Sequence, residues 1–327
     1  MFRIKMFRLL GYRFFLAVLT LLVSLNTFSH SGPEIPEPME LNALAQAFGW
    51  DFEATEITTE KVADNFYVLF GVGGNIALSV GDDGVFIVDD QFPIMMPKII
   101  EAISEVGGDG VDIAVTTHWH FDHAEGNLAL GPKGTWLVAH KNSREMMKDD
   151  HIINLVTLSY DQKAYPESAW PDITFDDDMQ FHVNGQTIDL MHFGPAHTTG
   201  DTAVIFRGVN AVHLGDVYNN TGYPFVDAGN GGQLDGIINF CTETLKQIDK
   251  DTVVIPGHGP ITDYQALQDY VDMLSTIRDR LVKLIDAGKT LDEVYAAKPT
   301  AEFDEAMGDN TGFINRAYMS LTHRRVR

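Results

Sequence analysis

Two β-sheets packed face to face, with helices on their outer surfaces, form the α/β fold that the sequence predicts. Three observations carry this reading. Short apolar runs alternate with glycine-rich turn signals in the first half, later runs alternate with helical patterns, and several predicted strands end in metal-capable residues. Strands first, then strand and helix in alternation, twice over, is the order that gives two sheets their outer helices. At 327 residues and 45% hydrophobic content the chain buries a large core, as one α/β domain or as two smaller ones.

The first 31 residues differ from the rest. Arg3, Lys5, Arg8 and Arg13 surround or precede an apolar run over residues 14–25, no acid occurs, and small or polar residues follow up to Ser31. A run of 12 residues is short for a bilayer span. The layout predicts a secretory signal peptide over residues 1–31, with an uncleaved N-terminal anchor as the alternative. The mature chain is then expected in the periplasm or secreted, with no stable membrane anchor after cleavage. Residues 32–55 open on the proline-rich SGPEIPEP and read as an extended linker. Residues 56–327 read as the folded domain with a helical C-terminal extension, whose basic end HRRVR is a solvated tail.

Within that domain NFYVLFGVGGNIALSVGDDGVFIVDDQF predicts three strands joined at GVGG and GDDG. A helical pattern over residues 97–106 leads into the strand VDIAVTTH. FHVNGQTIDLMHFG, TAVIFRG, NAVHLGDV and TVVIPGHG each read as a strand running into a loop, and helices are expected over residues 234–250 and 264–287. GVGGN at residues 71–75 is a candidate flap. In the aromatic-rich insertion at residues 159–175, Tyr160, Tyr165 and Trp170 either line a cleft or pack on the domain.

Without the leader, 19 Lys and Arg face 46 Asp and Glu, a net charge of −27. Such a surface repels phosphate backbones and argues against nucleic acid as a partner, leaving a small-molecule substrate. Cys241 is the only cysteine, so no intrachain disulfide forms and a metal site must use histidine and carboxylate.

The stretch TTHWHFDHAEGN supplies that chemistry, with His118, His120, Asp122 and His123 inside six positions. His197 in GPAHTTGD, Asp216 in HLGDVYNN and His258 in IPGHGP follow other predicted strands. Alternate residues of an extended segment point the same way, so His118, His120 and Asp122 are expected to face one pocket, with His123 entering from the next loop. Imidazole and carboxylate without thiolate suit zinc, with iron or manganese as alternatives. Seven such ligands exceed one tetrahedral ion and suffice for two. His140, His151, His182, His192, His213 and His323 read as structural or surface residues.

HWHFDH followed by His197, Asp216 and His258 resembles the metallo-β-lactamase superfamily, over residues 56–288. The resemblance implies an αββα sandwich of two mixed β-sheets with helices on the outer faces. It implies that His118, His120 and His197 hold one zinc, that Asp122, His123 and His258 hold a second, and that Asp216 bridges them. Asp89 in GVFIVDDQF matches an aspartate that supports the ligands from behind, with a simple turn residue as the alternative.

Two such ions lower the pKa of a shared water to near neutrality, which implies a hydrolase whose hydroxide attacks a carbonyl, oriented by Asp122 as the catalytic carboxylate. The bond attacked is less specified. Asp216 stands where the best-known β-lactamase subclass carries cysteine, and an aspartate there is usual among thioesterases, lactonases, phosphodiesterases and nucleases of the superfamily. Asn230 in DAGNGGQLDG matches an asparagine that contacts the substrate carbonyl, and Asn219 stands near the place of a lysine that grips the β-lactam carboxylate. A β-lactam-like cyclic amide or a lactone is the first expectation. A glyoxalase II-like thioester, a phosphodiester, or a zinc-binding or sensing role without turnover are the alternatives.

Overall fold

The computed structural model describes residues 35–323; the leader and the residues after His323 lie outside them. Strands β1 (Thr58–Ala63), β2 (Phe66–Phe70), β3 (Ile76–Gly81) and β4 (Gly84–Val88) form an antiparallel meander. Helix α1 (Leu41–Phe48) precedes it and α2 (Met96–Glu105) follows it, leading to β5 (Ile113–Thr116) beside β4 in parallel. Two short helices, α3 (Phe121–Ala124) and α4 (Asn127–Leu130), lead to β6 (Trp136–His140) and α5 (Lys141–Met146). A separate hairpin of β7 (His151–Asn154) and β8 (Ser159–Gln162) then interrupts the path to β9 (Ile173–Phe175), which closes the first sheet in the order β1-β2-β3-β4-β5-β6-β9.

The second sheet has the order β10-β11-β12-β13-β14-β15. Its strands are β10 (Asp178–Val183), β11 (Gln186–Met191), β12 (Ala203–Phe206), β13 (Ala211–His213), β14 (Val253–Ile255) and β15 (Thr262–Asp263). All neighbours are antiparallel except β13 and β14, whose parallel crossover is made by α6 (Leu234–Gln247). The chain ends in α7 (Tyr264–Asp286), α8 (Leu291–Ala297), α9 (Asp304–Met307) and α10 (Thr311–His323). Among the described residues no helix is long and apolar enough to cross a membrane.

Side-chain alternation explains why two sheets form. In β4, Phe86 and Val88 point into the layer between the sheets while Val85 and Ile87 point outward to α2. In β12, Val204 and Phe206 enter the same middle layer and Ile205 turns toward α6 and α7. Strands buried on both faces read as nearly unbroken apolar runs, which is the pattern of FIV and AVIF in the sequence. Phe206 meets Phe66 at 4.6 Å and Phe86 at 6.1 Å between ring centres, joining the sheets at their middle.

The predicted αββα sandwich is the fold found, with three differences along the chain. FHVNGQTIDLMHFG is two strands, β10 and β11, because Asn184 and Gly185 both adopt positive φ and close a tight hairpin. Residues 32–55 are not all extended: Leu41, Leu44, Ala45 and Phe48 fall on one helical face, and Gly49 ends α1 in the left-handed conformation. The segment from His118 to His123 is not a continuous extension either. His120 is its last extended residue, and Asp122 and His123 lie on α3.

His140 ends β6 and stacks on His192 with ring centres 3.8 Å apart. Its Nε2 donates to Asp176 O at 2.7 Å and its Nδ1 accepts from Asn142 N, so the fold uses the neutral ring. Burial and the neighbouring His192 push its pKa down to about 4. The folded pKa therefore lies below the unfolded value, and this contribution to stability is present above pH ~6.5 and is lost as the pH falls toward the folded value. His140→Gln is expected to flatten the pH dependence of Tm between about pH 4 and 6.5 relative to wild type. Parallel Tm curves for the two proteins would show that His140 does not couple to folding.

Candidate metal centre

The loops that carry the seven expected ligands meet along one edge of the sandwich. After β4, Asp89 takes a left-handed φ of 65° and turns its carboxylate onto the loop after β5. Its Oδ1 accepts from Thr117 N at 2.6 Å, and its Oδ2 accepts from Thr117 Oγ1 at 2.9 Å and from His123 Nδ1 at 2.7 Å. His197 rides a loop held by Asp201, whose carboxylate accepts from Ala196 N, Thr198 N and Thr198 Oγ1. Asp216 follows β13 on a 3₁₀ turn and His258 follows β14; Gly257 N donates to Gly215 O and Tyr218 O, tying these two loops together.

The ligand atoms fall into two groups, His118, His120 and His197 in one and Asp122, His123, Asp216 and His258 in the other. Hydrogen bonds on the far side of each ring decide which nitrogen faces inward. His120 Nε2 donates to Asp227 Oδ2 at 3.0 Å, and His197 Nδ1 donates to Phe225 O at 2.7 Å. The remaining nitrogens, His120 Nδ1 and His197 Nε2, present lone pairs to each other 2.8 Å apart. His118 Nε2 is buried beside them with no hydrogen-bond partner among the described residues. In the second group His123 Nε2 lies 3.2 Å from His258 Nε2 and 3.2 Å from Asp216 Oδ1, and His258 Nε2 lies 3.1 Å from Asp122 Oδ2. Asp216 spans the groups, with Oδ2 3.7 Å from His197 Nε2 and Oδ1 facing His123 and His258.

Inward lone pairs at such separations repel one another unless a cation lies among them, so the residues fit divalent metal. The electrostatics agree. Burial opposes charge on His123, yet Asp216, Asp122 and Asp89 outweigh it and hold its pKa well above the ordinary value. Burial likewise opposes charge on Asp216, but His258 and His123 hold its carboxyl well below the ordinary range. His118 is pushed well down, by burial and then by the neighbouring imidazoles. The carboxylate-rich group thus favours positive charge, while burial keeps His118 and His197 as neutral donors.

Consecutive residues Asp122 and His123 reach one group because α3 starts between them and His120. The preceding GVGGN segment is pressed against that helical turn: Gly74 N donates to Asp122 O at 2.8 Å, and a Cβ on Gly74 would collide with the His123 ring. Asn75 donates to Pro256 O and Gly259 O, and Gln91 Nε2 donates to Gly74 O. The candidate flap is a fixed wall.

Asn219 lines the cleft above the two groups; Asn230 does not. The Asn230 amide donates to both oxygens of Asp227 and to Ile152 O. Tyr160, Tyr165 and Trp170 also stay out of the cleft: Tyr160 Oη donates to Glu125, and Trp170 Nε1 donates to Tyr165 O under the cations of Arg144 and Lys148. His140, His151, His182, His192 and His213 belong to neither group; His213 instead links the sheets through Asn75 O. Asp227 is the residue that the sequence reading missed. Its only signal was an acid beside the Gly-Asn-Gly-Gly turn.

Asp227→Asn replaces the carboxylate behind His120 by an amide and is expected to lower affinity for divalent metal by about 10–100-fold, read by competition with a chromogenic chelator. Unchanged affinity would separate Asp227 from the metal.

The sequence profile of the metallo-β-lactamase superfamily matches residues 69–258, more than half of the chain. The probable metallo-hydrolase YqgX of Bacillus subtilis (strain 168) is 27% identical over 192 residues, 56% of this chain and 87% of that protein. The alpha subunit of 2,4-dinitroanisole O-demethylase from Nocardioides sp. (strain JS1661) is 25% identical over 171 residues, 51% of this chain and 48% of that one. Among solved structures, DIM-1 metallo-β-lactamase superposes with a TM-score of 0.55 at 20% identity, covering 68% of this chain and 98% of its own. A metallo-β-lactamase from Pontibacter korlensis gives 0.54 at 17% identity, over 67% and 99%. These likenesses show the fold, while the sequence match runs from β2 to His258 and contains every residue of both ligand groups; the chain belongs to the metallo-β-lactamase superfamily and is a metal-dependent hydrolase.

Proposed function

We propose that the chain is a binuclear metal hydrolase of neutral, apolar acyl compounds, lactones and esters ahead of β-lactams, acting outside the cytoplasm once its leader is removed. The observation that carries the substrate class is the wall of the cleft. A cavity of about 520 Å³ opens over Asp122, Asp216 and His258, and Phe70, Val72, Phe121, Ile153, Leu155 and Phe225 line it. Among the described residues no lysine or arginine lines it. A substrate carboxylate would meet no cationic side chain on the apolar wall and would lose hydration there without a hydrogen-bonding partner in return.

His118, His120 and His197 would hold one ion and Asp122, His123 and His258 the other, with Asp216 shared between them. When bound, two divalent ions, zinc before iron or manganese, supply an activated water and a Lewis acid for the scissile carbonyl. The chain's own residues do the rest. Asp89 and Asp227 fix the rings of His123 and His120. Asp122 lies at the cleft floor and is placed to orient the attacking water and receive its proton. Asn219 Oδ1 accepts from Thr221 N and Oγ1, and its Nδ2, with no partner among the described residues, is the donor available to a substrate oxygen. The apolar walls exclude bulk water, which strengthens each of these interactions.

Purified protein loaded with zinc is expected to bind two equivalents by elemental analysis. It is expected to hydrolyse medium-chain lactones or esters with a kcat/KM at least ~100-fold above that for a chromogenic cephalosporin, the discrimination expected when an ionic group lacks its partner. Asp122→Asn is expected to lower kcat by about 10²–10⁴-fold. A preference for the carboxylated cephalosporin would overturn the substrate class.

A further inference from the structure

The segment before the superfamily match, residues 35–57, builds one side of the cleft. Phe48 at the end of α1 and Trp50 just after it both line the cavity that holds His120, Asp122, Asp216 and His258. Their rings are stacked, 4.9 Å apart at 23°. Trp50 is backed by Phe92, edge-on at 5.5 Å, and by Phe121 at 6.3 Å, whereas Phe48 is 45% exposed. An exposed phenyl ring beside a catalytic edge, with its other neighbours already packed, presents a flat apolar surface to whatever occupies the cleft.

This surface is fixed in place. Gly49 adopts φ 70° and Trp50 N donates to Ala45 O at 2.8 Å, which sets the angle between the two rings. Upstream, Met39 N donates to Ser159 O and Asp161 N donates to Met39 O, adding the segment to the edge of β8. Downstream, Lys98 Nζ on α2 donates to Glu53 O at 2.6 Å and Thr55 O at 2.8 Å. A stapled aromatic pair costs little ordering on binding, and aromatic rings favour other flat rings over saturated groups of equal size.

We infer that Phe48 and Trp50 form an aromatic platform that makes this enzyme select substrates carrying a neutral aromatic ring near the scissile carbonyl. The inference rests on the reading of the site as a hydrolase of neutral acyl compounds and adds the shape of the acyl group. These residues precede the superfamily match at residues 69–258, so the selectivity belongs to this chain's own N-terminal segment.

Two matched pairs test it. Ethyl 3-phenylpropanoate and ethyl 3-cyclohexylpropanoate share bond and leaving group and differ in ring flatness; the corresponding amides report binding by calorimetry, independently of turnover. The zinc-loaded wild type is expected to favour the phenyl member of each pair by about 2–10-fold. In Phe48→Leu, and in Trp50→Leu where it folds, the ratio is expected to fall to about one with metal content and Tm retained. Phe48 is largely exposed, so that variant tests the platform even where Trp50→Leu is unstable. A ratio near one in wild type, or one retained in Phe48→Leu, overturns the inference. Absence of ester turnover together with a phenyl preference in the amides would instead overturn the proposed reaction and leave the platform standing.

Discussion

The carboxylate of Asp89 is the contact on which the arrangement of the site depends. It leaves β4 in a left-handed conformation that few side chains other than Asp and Asn adopt readily, and it is buried. From there it binds the backbone and hydroxyl of Thr117 and the far side of the His123 ring. One side chain therefore fixes the parallel β4–β5 edge, the path of the loop that carries His118 and His120, and the orientation of a ligand on α3. Parallel neighbours leave their C-terminal ends side by side, and such ends are where open α/β sheets place their chemistry. The second sheet obeys the same rule at β13 and β14, which deliver Asp216 and His258.

Around this shared edge, the cleft is walled by pieces that the sandwich does not require. The hairpin β7–β8 contributes Ile153 at one side of the cleft, and the segment around α1 contributes Phe48 and Trp50 at another. The two additions support each other through Met39, which bonds to Ser159 and Asp161. The C-terminal extension reaches the site from behind: α10 carries the buried Arg316, whose charge feels the attraction of Asp227, the carboxylate behind His120. The edge that carries the ligands is thus enclosed in part by segments outside the superfamily match, α1 before it and α10 after it.

Much of this was legible in the sequence because its signals are local. The β2–β3–β4 meander announces itself through apolar runs broken at Gly-rich turns, and the 264–287 helix through apolar spacing; observed α7 ends one residue earlier. The strand ends carrying His197, Asp216 and His258 were legible for the same reason. What was missed depended on context. A helical turn of four residues, α3, has too little length to show a period, so Asp122 read as a continued extension and His123 as part of the next loop. Helix α1 does show its period, but the prolines just before it suggested a linker. Asp227 contacts His120 across 107 positions of sequence, and nothing near either residue encodes that distance.

The aspartate at position 216 also explains how one side chain serves both ligand groups. A cysteine there would present a single sulfur. A carboxylate presents two oxygens, and here Oδ2 faces His197 while Oδ1 faces His123 and His258. Two-point contact lets the groups share a negative charge without moving closer, which matters where Asp122 already adds another and burial penalises both. Oxygen in place of sulfur also makes the donor set harder, so selection among zinc, iron and manganese falls on geometry and supply rather than on ligand softness.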